Sequence, residues 1–223
     1  MQNQFKFFIS FALSLLIIVG VNAQNPYFMN KEGTVLTYEN KDAKKKVTGY
    51  SKMTVTKVEG DATNCSVSYE SMVMDAKKKP ILSKPLVMNV QIVNGAVQLD
   101  PAALVGTMSE GMQVTGGSLL LPNNLSVGDI FDDYTVNVAI GPIKSSSAFS
   151  GIKVIAEETL DVGGKAIACM VVESVVSSRV IGIKTEVVQK VWYGRSIGII
   201  KNESYDKKGK IQTTQELISI EGL

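Results

Sequence analysis

The chain contains no histidine in its 223 residues. This absence excludes Ser-His-Asp and Cys-His catalytic arrangements, most zinc sites, and the commonest general base near neutral pH. The catalytic chemistry that remains would need carboxylate pairs, lysine, or a metal held by carboxylates. No motif in the chain predicts such a centre, so we expect a protein that is not an enzyme and has no cofactor.

Neither sign of charge is in large excess, because the chain has 23 Lys and Arg residues and 21 Asp and Glu residues. Phosphate backbones are bound by clustered positive charge. A formal net charge of +2 therefore gives no reason to expect nucleic acid as a partner.

Cysteine is limited to Cys65 and Cys169. In an oxidising compartment the two can form a disulfide that closes a long loop. Each also alternates with apolar residues such as Val67 and Val171, and so fits equally well as a small core residue. Neither has a cationic neighbour that would activate a catalytic thiol.

Residues 1–23 have the pattern of a signal peptide. Lys6 precedes an apolar run over residues 7–21, and Val21 and Ala23 are small residues at the positions that signal peptidase reads. The run is shorter than the roughly 20 residues of a membrane-spanning helix. We expect cleavage after Ala23, no lipid-attachment cysteine, and a soluble periplasmic or secreted protein that is not an integral membrane protein.

Residues 24–223 are predicted to form a single all-β domain. Period-two alternation dominates and turn residues recur at hairpin spacing, with Asn94-Gly95 as the strongest hairpin signal. About ten strands and one short helix over residues 101–112, capped by Asp100, favour an antiparallel barrel, half-barrel or sandwich.

A methionine-rich set is the predicted binding site. Methionine fills irregular apolar space and suits adaptable surfaces. If the predicted helix covers a half-barrel, these side chains would line a cavity for a lipid or another apolar small molecule. The candidate residues are Met72, Met74, Met88, Leu104, Met108, Met112 and Trp192. Ordinary core packing is the alternative interpretation.

Two further functions remain open. Residues 38–45, 69–79 and 205–210 each run from a tyrosine through an aspartate to lysines, which fits solvated hairpin tips or a surface that contacts an envelope protein. Asp129, Asp132 and Asp133 form the densest carboxylate cluster. A carboxylate-dependent hydrolase of envelope polymers is the remote alternative, although a solvated loop explains the cluster as well.

The C-terminal part resembles a known family. Residues 192–201 read WYGRSIGIIK and residues 203–210 read ESYDKKGK. This run is similar to the ends of a TapB-like, or domain-of-unknown-function, family of exported Bacteroidetes-type β proteins, and residues 27–34 and 121–129 agree with it. The resemblance implies an envelope location and a β-barrel-like fold, and it implies no activity.

Overall fold

The computed structural model describes residues 25–99, 112–140, 143–180 and 182–222, and these residues form thirteen β-strands and no helix. The predicted all-β class is therefore confirmed. No described segment forms a helix that is long and apolar enough to cross a membrane. The strands are β1 (Val35–Asp42), β2 (Val47–Gly60), β3 (Cys65–Asp75), β4 (Leu86–Val93), β5 (Ala96–Leu99), β6 (Met112–Gly116), β7 (Leu119–Leu121), β8 (Tyr134–Ile140), β9 (Ile143–Val162), β10 (Lys165–Val180), β11 (Ile183–Gly194), β12 (Gly198–Tyr205) and β13 (Ile211–Glu221).

All thirteen strands belong to one antiparallel sheet. Their order is β6-β8-β9-β10-β11-β12-β13-β1-β2-β3-β4-β5-β7, so β6 and β7 are the outer strands of an open sheet. The prediction of a closed barrel is wrong, and so is that of a two-sheet sandwich. The half-barrel is the expectation that comes closest, since an open sheet that buries one face must curl around it.

In β3, β4, β5 and β7, alternation places the buried side chains on the concave face. Cys65, Ile92, Val97 and Leu121 are successive cross-strand partners on β3, β4, β5 and β7, and none is more than 5% exposed. Their sequence neighbours point to the other face; Leu120, beside Leu121, is 53% exposed. Burial of these four side chains stabilises the fold, and it fixes the register of the four strands because a shift by one residue would expose them.

The hairpin turn predicted at Asn94-Gly95 is confirmed. Asn94 and Gly95 both have positive φ angles, 51° and 76°, between β4 and β5. This is the backbone of a type I′ turn, whose twist matches that of the flanking strands. The predicted helix over residues 101–112 lies almost wholly outside the described residues. Met112, its last residue, begins strand β6 instead.

Two non-repetitive segments cover the concave face. Tyr27, Phe28 and Met29 are buried ahead of β1, and the Phe28 ring lies 5.7 Å from that of Tyr69. Residues 122–133, which we call the strap, run from β7 to the part of β9 that lies beyond its pairing with β8. There Gly128 N donates a hydrogen bond to the Val154 carbonyl, and Val154 N donates one to the Asp129 carbonyl, each at 2.9 Å. The strap therefore spans the opening between two distant strands.

Candidate functional site

The three described methionines of the predicted site do not share a face. Met88 is the cross-strand partner of Tyr69 on the concave face, where the Tyr69 hydroxyl donates to the Met88 Sδ at 3.5 Å. Met72 and Met74 pair with Lys52 and Tyr50, whose side chains point to the convex face. Side chains on opposite faces of one sheet cannot line one cavity.

Trp192 lies in the same convex row as Tyr50. Cross-strand pairing runs from Trp192 through Lys201, Glu216 and Glu39 to Tyr50. The indole is 5% exposed and belongs to the buried core together with its cross-strand partner Val171. Lys201 Nζ lies 4.8 Å from the ring centroid. Its Nε1 donates to Glu158 Oε2 at 2.8 Å. Trp192 thus contributes to convex-face packing and does not meet Met88. Leu104 and Met108 lie outside the described residues, and nothing is described of the Met112 side chain.

A small cavity does adjoin Met88. Its volume is about 200 Å³, below the range of about 300–1,000 Å³ that ligand pockets occupy. The Tyr38 hydroxyl beside it donates to the Ile199 carbonyl at 3.0 Å. The principal lining residues are Phe28, Tyr38, Met53, Tyr69, Met88 and Ile199.

A larger cleft lies between the strap and the β9–β10 hairpin. Its volume is about 550 Å³. The apolar wall is made by Leu125 and Val127 of the strap and by Ala168 and Met170 of β10. Val127 is 58% exposed at the mouth. We call this space the strap cleft; its size and its apolar wall fit a small-molecule site.

The polar residues that line the strap cleft include Tyr27, Glu157 and Arg195. The Arg195 guanidinium lies 4.5 Å from the Tyr27 ring centroid and donates to the carbonyls of Asn25 and Asn123. Burial raises the pKa of Tyr27, and the nearby Arg195 charge opposes that rise. Arg195 therefore joins the N-terminal segment and the strap at one end of the cleft.

The aspartate cluster has a structural use in the strap. Asp129 Oδ2 accepts from Ser126 N at 2.8 Å, and Asp133 Oδ1 accepts from Gly151 N at 2.9 Å. Asp132 is exposed. Within the described ranges no three metal-ligating side chains come together. Two of the three carboxylates thus hold the strap.

The three lysine-rich segments form matching turns. In each, an aspartate Oδ1 accepts two backbone N–H groups at 2.8–2.9 Å, from the second and fourth residues after it. The three aspartates are Asp42, Asp75 and Asp206. The third residue after each aspartate has a positive φ: 61° at Lys45, 62° at Lys78 and 75° at Gly209. The recurring sequence is therefore a recurring hairpin turn.

Both cysteines are buried free thiols. Cys169 Sγ lies 3.4 Å from the Ile167 carbonyl, and burial raises the pKa of Cys169 to about 11. Burial also raises the pKa of Cys65. In this environment both thiols stay protonated at neutral pH and are poor nucleophiles.

Sequence reasoning missed the strap cleft and Arg195. In the sequence, residues 119–124 have the pattern of an extended link and residues 127–129 that of a turn, and neither pattern indicates a binding site. Arg195 lies inside the C-terminal run that carries the family resemblance, between Gly194 and Ser196. A single arginine between turn residues gives no indication of the carbonyls it binds.

Comparison with known proteins identifies a family and two proteins of similar fold. The family model described as DUF3108-like matches residues 31–217. A Bacteroides fragilis protein, described as exported with a YmcC-like fold, superposes with a TM-score of 0.73 at 21% identity, covering 87% of this chain and 98% of its own. A Parabacteroides distasonis protein, described as a lipoprotein, gives 0.73 at 18% identity, covering 88% and 99%. No curated protein matches. The TapB-like part of the resemblance stays a prediction.

Proposed function

Because the chain belongs to the DUF3108-like family, we propose that it is an exported, non-catalytic protein of the cell envelope. We propose further that it binds an apolar small molecule, such as a lipid, in the strap cleft. Residues 1–23 are its signal peptide in this proposal, and the protein is periplasmic or secreted after cleavage at Ala23. N-terminal sequencing of protein from the envelope fraction tests this part; an intact Met1 would overturn it.

The observation that carries the binding proposal is the cleft itself, a space of about 550 Å³ with an apolar wall. Val127 is exposed at the mouth of the cleft, on a strap that is bonded to β9 and to Arg195. A bound apolar group would remove this side chain from water, which is favourable. The cleft therefore favours a ligand whose apolar body lies along Leu125 and Met170.

The chemistry at the other side of the cleft suggests an amphiphile. Arg195 supplies a positive charge, and Tyr27 supplies an aromatic ring and a hydroxyl. An arginine near an apolar wall suits a ligand that carries a carboxylate or phosphate at one end. Glu157 lines the same space, so a ligand with an additional hydrogen-bond donor would fit better than a plain fatty acid.

Fluorescence titration with dansylaminoundecanoic acid tests the site. Ala168 lies on the cleft wall and is exposed, so Ala168→Phe fills the cleft with little strain. We expect the variant to bind the probe at least about tenfold more weakly, as loss of apolar contact area implies. Ala62→Phe, at an exposed alanine of the β2–β3 turn, should bind as the unmodified protein does. Equal binding by Ala168→Phe, or no probe binding at all, would refute the cleft as the site.

A further inference from the structure

The charges of this protein are separated along the strand direction. β1, β3 and β12 run parallel to one another, since each is separated from the next by one antiparallel neighbour. The turns that follow them, at residues 42–46, 75–79 and 206–210, therefore lie at the same end of the sheet. They are also next to one another, because the sheet order there is β12-β13-β1-β2-β3-β4.

Each of these turns carries three exposed lysines, which makes nine at one end. We call this set the lysine rim; its members are Lys44, Lys45, Lys46, Lys77, Lys78, Lys79, Lys207, Lys208 and Lys210. Within the turns, the three aspartates leave nine minus three, or six, positive charges in excess. Lys207 also forms an ion pair with Glu186 of β11, with Nζ and Oε1 3.1 Å apart. The carboxylates of these aspartates are already used by backbone N–H groups of their own turns.

The opposite end has the reverse balance. The chain there includes the start of β1, the β2–β3 turn, the β9–β10 turn and the end of β13. The β11–β12 turn lies there too and carries Arg195. At this end five carboxylates, Glu32, Glu59, Asp61, Asp161 and Glu221, outnumber four cations, Lys31, Lys57, Lys165 and Arg195. A near-neutral total charge thus conceals a strongly basic end.

Exposed apolar side chains accompany the lysine rim. The loop after the second turn, residues 80–85, presents Ile81 at 62% and Leu82 at 37% exposure. Lysines around exposed aliphatic side chains are the combination by which peripheral proteins bind anionic membranes, the cations at the headgroups and the aliphatic groups in the interface.

We propose that the lysine rim docks on an anionic phospholipid surface, with Ile81 and Leu82 entering the interface. Strands lie about 4.8 Å apart, so three turns on alternate strand pairs span roughly 20 Å along the rim. A row of this length meets several headgroups at once. The proposal is independent of ligand binding in the strap cleft, at which none of these residues lies.

The test is co-sedimentation of protein from the envelope fraction with phosphatidylcholine vesicles, with and without phosphatidylglycerol. The Lys44→Gln, Lys77→Gln, Lys208→Gln variant removes one charge from each turn and keeps the backbone donors. Lys31→Gln, Lys57→Gln, Lys165→Gln removes the same charge at the opposite end. We expect binding only to phosphatidylglycerol vesicles, weakened at least about tenfold in the rim variant and little in the control. High salt should weaken it too.

The aliphatic residues provide a second measurement. Ile81→Ser with Leu82→Ser should reduce the binding that survives high salt, because that part depends on apolar insertion. Equal binding by the rim variant and the control would overturn the proposal, as would equal binding to vesicles without phosphatidylglycerol. Retention on heparin without vesicle binding would overturn it in favour of a soluble polyanion.

Discussion

The lysine-rich turns and the strap both connect strands, but they are held in place by different interactions. In the turns, the aspartate binds backbone groups two and four residues away. In the strap, the Arg195 guanidinium reaches a carbonyl 72 residues earlier, and Gly128 binds the Val154 carbonyl. The turns are thus defined by five residues each, whereas the strap exists only when the sheet has formed. Disruption of a turn should have a local effect, and disruption of the strap a global one.

Leu121→Ala should have the largest effect. Leu121 is fully buried at the end of β7, directly before the strap. Removing its side chain should lower the free energy of unfolding by about 2–5 kcal/mol, since a cavity remains. Leu120→Ala, on the other face at 53% exposure, should change it by about 0.5 kcal/mol or less. Urea denaturation measures both. Similar losses in the two variants would contradict the assignment of the concave face.

Arg195→Ala should have the next largest effect. It removes the hydrogen bonds to Asn25 and Asn123 and the contact with the Tyr27 ring. We expect a loss of about 1–3 kcal/mol in the same assay. Arg195→Lys should recover only part of it, because an ammonium lacks the planar fork. Full recovery by lysine would show that charge alone holds the strap.

Asp206→Ala should destabilise the protein less, and in a pH-dependent way. The backbone N–H groups of Lys210 and Lys208 lower the pKa of Asp206 in the folded state. Its stabilising contribution is therefore present above the ordinary carboxyl pKa and is lost as the pH falls through the folded-state value. Thermal midpoints of variant and unmodified protein should converge in acid.

Asp132→Ala is the matched control, since the described residues supply no hydrogen bond to that exposed carboxylate. Its thermal midpoint should follow that of the unmodified protein at every pH. A pH-independent loss in Asp206→Ala would mean that the turn is not held by the ionised carboxylate.

The smallest effect concerns the thiols, which should hardly react at all in the folded protein. Cys65 and Cys169 are buried, and burial raises the pKa of both. A thiol titration with Ellman's reagent at mildly alkaline pH should give almost no fast reaction. Denaturation without reductant should release both thiols. Absence of free thiol after denaturation would instead establish a disulfide in the isolated protein.

The sequence alone was sufficient to predict features that depend on near neighbours. Alternation predicted an all-β chain, Asn94-Gly95 a tight hairpin, and the repeated Asp and Lys pattern three hairpin tips. Each depends on a few consecutive residues, whose backbone preferences and side-chain direction are set locally. The sequence predicts about ten strands, fewer than the thirteen present; β6 and β7 are short and directly follow the segment predicted as a helix.

Tertiary structure decided which of these elements meet. The methionines were grouped by composition, yet register places Met72 and Met74 on the face opposite Met88. The strap cleft needs the strap, β9, β10, the N-terminal segment and Arg195 together. The lysine rim needs three turns that are far apart in the chain. Such contacts depend on the order and curvature of all thirteen strands, which no short stretch of sequence specifies.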